Sequence, residues 1–245
     1  MQYLVYIAIA LVAYLIGSVN FSILLSRAVS GEDIRKSGSG NAGATNMLRT
    51  HGKKMAVLTL ILDIVKGIVA VLLAWYAANL MKGTIEAWMS VTTRAGVDLF
   101  DQVEAMTFEP TTFTYTAKYL AALAVVMGHN FPIFFGFKGG KGVATSLGVV
   151  MLLDWRIGLI VAVIAIAIMA VTRYVSLGSI VGGALFIILE IVNIFLGWKC
   201  SVAQVVYVLI LGLLLIGRHH ENITRLIHGT ENKLSMKKKV TDNEG

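Results

Sequence analysis

Residues 3–25 read YLVYIAIALVAYLIGSVNFSILL and carry no charged side chain. A helix rising about 1.5 Å per residue needs about 20 apolar residues to cross a hydrocarbon core of about 30 Å. This stretch therefore predicts a membrane-spanning helix. No Lys or Arg precedes it, so the positive leader of a secretory signal is missing and the helix is expected to be retained, with its N-terminus outside. Working outward, residues 55–81 give a second span, interrupted by Asp63 and Lys66, and residues 119–135 a third. Residues 177–197 and 202–217 give two more. Between these lies 142–171, apolar except for Asp154 and Arg156. It is too long for one ordinary helix and too short for two full spans, so the Asp154-Trp155-Arg156 break predicts two short helices meeting near the far side. The expected fold is an all-α integral membrane protein with seven transmembrane helices, two of them short.

Composition agrees with that reading. Of 245 residues, 57% are apolar and only 14% charged, and Pro occurs twice; the mean hydropathy is +0.77. Too little polar surface remains to clothe a water-soluble globule, and disordered, collagen-like and disulfide-scaffold classes are excluded as well. Cys200 is alone, so neither an internal disulfide nor a cysteine-based zinc site can form. The net charge of +7, from 21 basic and 14 acidic residues, is modest for a nucleic-acid binder, and no nucleic-acid partner is expected.

The placement of charge sets direction. Residues 27–54 hold six bases (Arg27, Arg35, Lys36, Arg49, Lys53, Lys54) against Glu32 and Asp33. The chain after Gly217 adds Arg218, Arg225, Lys233 and the run Lys237-Lys238-Lys239, whereas residues 82–118 hold five acids and three bases. Lys and Arg mark the cytoplasmic side, so an outside N-terminus and a cytoplasmic C-terminus satisfy every loop. The expected organisation is a single domain over 1–245, with an outer loop insertion at 82–118 and a basic cytoplasmic tail at 218–245. That tail is expected to touch anionic lipid heads or solvent.

Three polar segments, far apart in sequence, combine Gly with Lys or Arg and fall on one face by parity. The first runs from Arg35 to Arg49 and contains Gly38-x-Gly40-x-x-Gly43. A membrane helix stands where a dinucleotide fold would need a strand, so this is no Rossmann fingerprint. The physics still carries over: glycines let backbone N–H groups approach an anion, a following helix N-terminus favours negative charge, and Arg49 offers a planar fork suited to phosphate. A capped flexible turn is the bland alternative. The second segment joins Gly128-His129-Asn130 to Lys138-Gly139-Gly140-Lys141-Gly142 and feeds an apolar helix starting near Val143, a nest of amides with two ammonium groups that favours phosphate binding. The third is Arg218-His219-His220-Glu221-Asn222 with Arg225. His219 and Asn222 share a face if the last helix continues past Gly217.

Asp63 and Lys66, three apart, are expected to pair structurally within the bilayer. Glu190 lies mid-span with no evident partner in sequence, and Gly182-Gly183 suits close helix packing. No cluster has metal-ligand spacing, and no cofactor or metal is assigned.

The string Gly38-Ser39-Gly40-Asn41-x-Gly43-Ala44-Thr45-Asn46-x-x-Arg49 resembles a signature motif of the bacterial PlsY family, the acyl-phosphate:glycerol-3-phosphate acyltransferases. Gly128-His129 with Phe137-Lys138-Gly139-Gly140-Lys141-Gly142-Val143-Ala144-Thr145, and Arg218-His219-x-x-Asn222-Ile223, resemble the other two. Leu62-Asp63-x-x-Lys66-Gly67 and Arg173-Tyr174-x-Ser176-x-x-Ser179 also fit. The departure is residues 82–118, longer than the outer loop usual in the family.

The resemblance implies a seven-helix enzyme of the bacterial inner membrane, expected to be a monomer, with its site facing the cytoplasm. It would move a fatty acyl group from acyl phosphate to the 1-hydroxyl of sn-glycerol 3-phosphate, giving lysophosphatidic acid and phosphate. By resemblance the catalytic set is Ser39, Arg49, Lys138, Lys141, Ser176, His219 and Asn222. The set holding substrate and phosphate is Gly38, Gly40, Asn41, Asn46, His129, Gly139, Gly140, Gly142 and Thr145. Two phosphate-bearing substrates, one with a long apolar tail, suit cationic glycine loops set on membrane helices.

The proton acceptor is open between a substrate phosphate oxygen and His219. The His-x-x-x-x-Asp pair of other glycerol-phosphate acyltransferases is absent, since Ala56, Phe134, Thr224, Arg225 and Lys233 stand five residues after the histidines. No histidine lies beside Ser39, which argues against a covalent acyl-enzyme. The competing class is a transporter for an organic phosphate. The lack of a repeated half or of paired broken segments, and the polar elements at one face instead of the midplane, speak against it.

Overall fold

The computed structural model describes residues 2–94, 110–196 and 202–234, and every described regular element is helical. In chain order these are α1 (Gln2–Ser18), α2 (Phe21–Ser30), α3 (Ala44–Arg94), α4 (Pro110–Asn130), α5 (Val143–Leu153), α6 (Trp155–Thr172), α7 (Val175–Phe195), α8 (Val202–Gly217) and α9 (His220–Ile227), with single 3-10 turns at Ile34–Lys36 and Ile133–Phe135.

Five helical stretches among the described residues are long and apolar enough to cross a membrane: Gln2–Ser30, Ala44–Trp88, Thr112–Phe135, Trp155–Thr172 and Val175–Asn193. Val143–Leu153 and Gln204–Gly217 are shorter apolar helices. The break predicted at Asp154 is present, and the Asp154 carboxylate accepts from the amides of Arg156 and Ile157 to cap α6. Its two halves differ from expectation, however. α6 is long enough to cross by itself, and the shortness falls on α5, with 11 residues, and on the last apolar helix.

The first span is also broken. Val19 and Asn20 leave the helical path, and Asn20 Oδ1 caps α2 by accepting from the Ile23 amide at 3.2 Å and the Ser22 hydroxyl at 2.7 Å. Hydropathy cannot register that break, because the capping groups are small and uncharged. α3 is kinked at Gly52, whose φ of 81° and ψ of −177° interrupt the helix. Helix α3 runs on to Arg94 and α4 starts at Pro110, so both flanks of the 82–118 segment are helical; residues 95–109 lie outside the described residues.

Helices pack through small residues. A Cβ on Gly17 would lie 2.1 Å from the Val125 carbonyl oxygen of α4, and one on Gly148 of α5 would lie 2.3 Å from the Ile64 carbonyl oxygen of α3. Such contact is how membrane helices gain dispersion energy without a hydrophobic drive between them. One core runs through the bundle around Val71, Phe113, Val125, Val149, Tyr207 and Leu211. Outward positions such as Leu4, Leu11, Leu72, Ile166 and Leu213 are exposed and apolar, the surface a bilayer would cover. A smaller cluster of Ile23, Ile34, Ala42, Met47 and Ala56 pins the loop between α2 and α3.

Glu190 has the partner its sequence context did not reveal: Gln204 Nε2 of α8 donates to Glu190 Oε2 at 3.1 Å. Asp63 and Lys66 pair as expected, at 2.8 Å.

Candidate active site

The first polar segment owes its shape to two side chains. Asn46, fully buried at the start of α3, accepts from the Ser39 amide at 2.8 Å and donates to the carbonyls of Ile34 and Ser37. That folds Gly38-Ser39-Gly40 into a tight, exposed turn. Arg35 is locked bidentately by Asp33 and donates through Nη1 to the Phe135 and Lys138 carbonyls at 2.7 and 2.9 Å. Those hydrogen bonds, from Arg35 most of all, hold the Asp33 carboxyl well below the usual carboxylate range. Arg35 thus stitches the first segment to the second.

The second segment turns on Gly140. Its amide donates to the His129 carbonyl at 3.1 Å, and the Gly139 amide to the Asn130 carbonyl at 3.2 Å. A Cβ on Gly140 would fall 2.2 Å from His129 Nε2 and 2.4 Å from the Ala42 carbonyl oxygen of the first segment. From the third segment, Arg218 Nη2 donates to the Gly140 carbonyl at 3.0 Å, with its guanidinium 5.0 Å from the Phe131 ring centroid. Residue 140 is therefore where all three segments touch, and only a glycine fits there. Gly142, in the left-handed region at φ 80°, opens α5, so the loop ends on helix amides directed back toward it.

The third segment departs from expectation. The last apolar helix does not run unbroken past Gly217; α9 starts at His220 with His219 at the junction. Asn222 nevertheless faces the second segment: its Oδ1 accepts from Lys141 Nζ, and its Nδ2 donates to Glu231 Oε1 at 2.7 Å. Glu231 Oε1 also accepts from Ser176 Oγ at 2.9 Å, and Oε2 from Arg225 Nε at 2.8 Å. The chain after α9 lies over the site as a strap. Within it the Leu234 amide donates to the Arg173 carbonyl at 2.7 Å, and Arg49 Nη2 reaches the Asn232 carbonyl at 3.5 Å.

Arg49, Lys141, Ser176 and Asn222 are thereby joined, directly or through the strap, with Ser39 on the adjoining turn. Lys138 is exposed and its carbonyl serves Arg35. Asn41 is half-buried on the first loop, while Thr145 is buried in the first turn of α5, its carbonyl against Gly67. His129 lies beneath the loop, buried, with Lys66 Nζ at 2.9 Å from its Nδ1. Sequence reasoning missed Glu231 and did not assign Arg218 to the site. The only signal for Glu231 was an isolated acid in a basic tail.

Burial sets the electrostatics. Desolvation, reinforced by Arg225, pushes Lys141 down to about 8 against the pull of Glu231 and Glu221. Desolvation also pushes His219 down to about 4, opposed by the Leu215 carbonyl and helped by Lys141. Since a carbonyl can only accept, the 2.8 Å contact between His219 Nδ1 and the Leu215 oxygen puts the proton on Nδ1. Nε2 then keeps its lone pair. Among the described residues no group of three or more His, Cys, Asp or Glu side chains could hold a metal ion.

A multi-helix membrane protein with a cationic, glycine-lined site at one end of the bundle is the class these features define. The chain belongs to the glycerol-3-phosphate acyltransferase family, whose pattern matches residues 7–229. It is 39% identical to the glycerol-3-phosphate acyltransferase of Clostridioides difficile, over 97% of this chain and all of that protein. It is 38% identical to that of Thermoanaerobacter pseudethanolicus, over 94% and 96%. Among solved structures it is similar to PlsY (YgiH), an integral membrane glycerol 3-phosphate acyltransferase, in its glycerol 3-phosphate form. That likeness has a TM-score of 0.70 and 32% identity, covering 94% of this chain and 96% of that one. The lysophosphatidic acid form matches with a TM-score of 0.66 and 31% identity over the same shares.

Proposed function

We propose that this protein transfers a fatty acyl group from acyl phosphate to the 1-hydroxyl of sn-glycerol 3-phosphate, releasing lysophosphatidic acid and phosphate. One observation carries the reading: Gly140 joins three glycine- and cation-bearing segments, through Ala42, His129 and Arg218. An acyl phosphate is a mixed anhydride with a good leaving group, so positioning and charge stabilisation supply most of the acceleration. Ser39 and Arg49 take the glycerol phosphate. Lys138, Lys141 and the amides of Gly139, Gly140 and Gly142 take the phosphate of the donor or the charge that develops on it. Asn222 and Ser176 frame the reacting carbonyl, and the acyl tail lies among membrane helices. The solved relative described as a glycerol 3-phosphate form supports the acceptor.

The proton acceptor follows from magnitudes. His219, held at about 4, is neutral at pH 7 but a weak base. A phosphate monoester ionises a second time at about 6, nearer the working pH where a base is most effective. The substrate's own phosphate oxygen is therefore assigned the hydroxyl proton, with His219 as a hydrogen-bond acceptor beside it. His219→Gln is expected to keep turnover within about tenfold of wild type; a loss of about 10²–10⁴-fold would return the base to His219.

The protein is read as a single-domain monomer of seven spans in the bacterial inner membrane, and the Lys/Arg placement in its loops supports an outside N-terminus and a cytoplasmic site. Purified protein in detergent, given radiolabelled glycerol 3-phosphate, is expected to form lysophosphatidic acid with acyl phosphate and not with acyl-CoA or acyl-carrier protein. Uptake into sealed vesicles without any acyl donor would instead favour a transporter.

A further inference from the structure

Lys66 lies within the membrane stretch of α3 with its side chain only 3% exposed. It donates to the Val19 carbonyl at 2.9 Å and reaches His129 Nδ1 at 2.9 Å, and it pairs ionically with Asp63 Oδ1 at 2.8 Å, an oxygen 3.6 Å from the same His129 Nδ1. An ammonium has three protons and no lone pair. Two of them are used in hydrogen bonds, and the Val19 carbonyl is one freed by the break between α1 and α2. The Phe21 ring of α2 covers the same ammonium, 5.6 Å from its centroid.

Because Lys66 can only donate, His129 Nδ1 must accept, and a neutral ring then carries its proton on Nε2. Nε2 is the atom packed beneath Gly140, and the His129 carbonyl accepts the Gly140 amide. One residue therefore braces Gly140 through both its ring and its backbone. A buried ion pair is weak evidence for stability, since desolvation offsets its attraction; a role in fixing geometry explains its place better than folding alone.

We propose that Asp63, Lys66 and His129 are positioning residues for the 138–142 loop. Lys66 fixes the ring's tautomer and height, and the ring sets the loop amides where a phosphate is gripped. The inference rests on the acyltransferase reading only for the identity of that phosphate. It moves His129 from touching substrate to acting through Gly140.

The test pairs spectroscopy with kinetics. In ¹⁵N-histidine spectra of the full chain in detergent, His129 is expected to be neutral and protonated at Nε2, and to lose that preference in the charge-free Asp63→Asn/Lys66→Met protein. His129→Asn still reaches Lys66 but withdraws from Gly140. It is expected to raise KM for acyl phosphate by about tenfold or more, the range seen when an outer supporting partner is lost, with kcat within about threefold and unfolding temperature unchanged. His129→Gln, which reaches the Nε2 position, is expected to restore KM. An Nδ1-protonated ring in the wild type, or a wild-type KM in His129→Asn, would overturn the proposal. A wild-type protein that makes no lysophosphatidic acid would sink the acyltransferase reading instead. The tautomer, together with calorimetric binding of inorganic phosphate to wild type and His129→Asn, would still decide this one.

Discussion

One methyl group at residue 140 would have to share space with His129 Nε2 and the Ala42 carbonyl, both closer than 2.5 Å to its carbon. Neither a helix-end ring held by Lys66 nor a backbone carbonyl can move aside cheaply. Gly140→Ala is therefore expected to lower kcat/KM by about 10²-fold, the effect of displacing positioning groups by about 1 Å, with the bundle still folded by circular dichroism. Lys141 gives a pH signature. Its pKa of about 8 lies below the ordinary lysine value, so the cation is present below pH 8 and is lost as pH rises through it. KM for the phosphate substrate should rise above about pH 8, and Lys141→Arg should move that limb upward, because a guanidinium stays charged. Glu231 anchors Ser176, Asn222 and Arg225 together. Removing it as Glu231→Ala leaves those donors without their acceptor and is expected to cost about 1–3 kcal/mol, read as a lower unfolding temperature in detergent.

Helices meet through backbone as much as through side chains. The Gly148 α-carbon of α5 rests against the Ile64 carbonyl of α3, where an added carbon would come within 2.3 Å. Gly148→Ala must push α5 off α3, and overpacking of this kind costs about 1–3 kcal/mol. Thermal unfolding in detergent should report it, with the apparent donor KM rising if the displaced α5 carries Gly142 away from the loop. Element boundaries were unevenly legible. The break at Asp154 announced itself because a charge in an apolar run is costly, whereas the one at Val19–Asn20 did not, since Ser18, Asn20 and Ser22 scarcely disturb hydropathy. Residues 82–94 and 110–118 of the supposed outer loop, on either side of the undescribed part, were open to either reading, and they fall in α3 and α4.

Across the molecule, the expected convergence of three segments was legible from spacing and loop charge, because glycine beside cation has few purposes on one face of a membrane protein. The contacts that complete the site were not. Arg49 and Asn232 stand 183 positions apart, and Ser176 and Glu231 55 apart, and no periodic pattern connects such residues. Orientation can be tested at the same scale. A cysteine replacing the exposed Lys36 in a Cys200→Ser background is expected to react with an impermeant thiol reagent only after cells are opened; labelling of intact cells would invert the assigned topology.

The strap has a consequence for biosynthesis. Since Glu231 and Asn232 follow every other residue of the site in the chain, a nascent chain already threaded into the bilayer holds Arg49, Lys141 and Ser176 before the piece that fastens two of them has been made. Such high contact order delays closure of the site until residues 231 and 232 have emerged. Chains arrested before residue 231 should be membrane-inserted yet inert, and competence should appear abruptly once residues 231–234 are released.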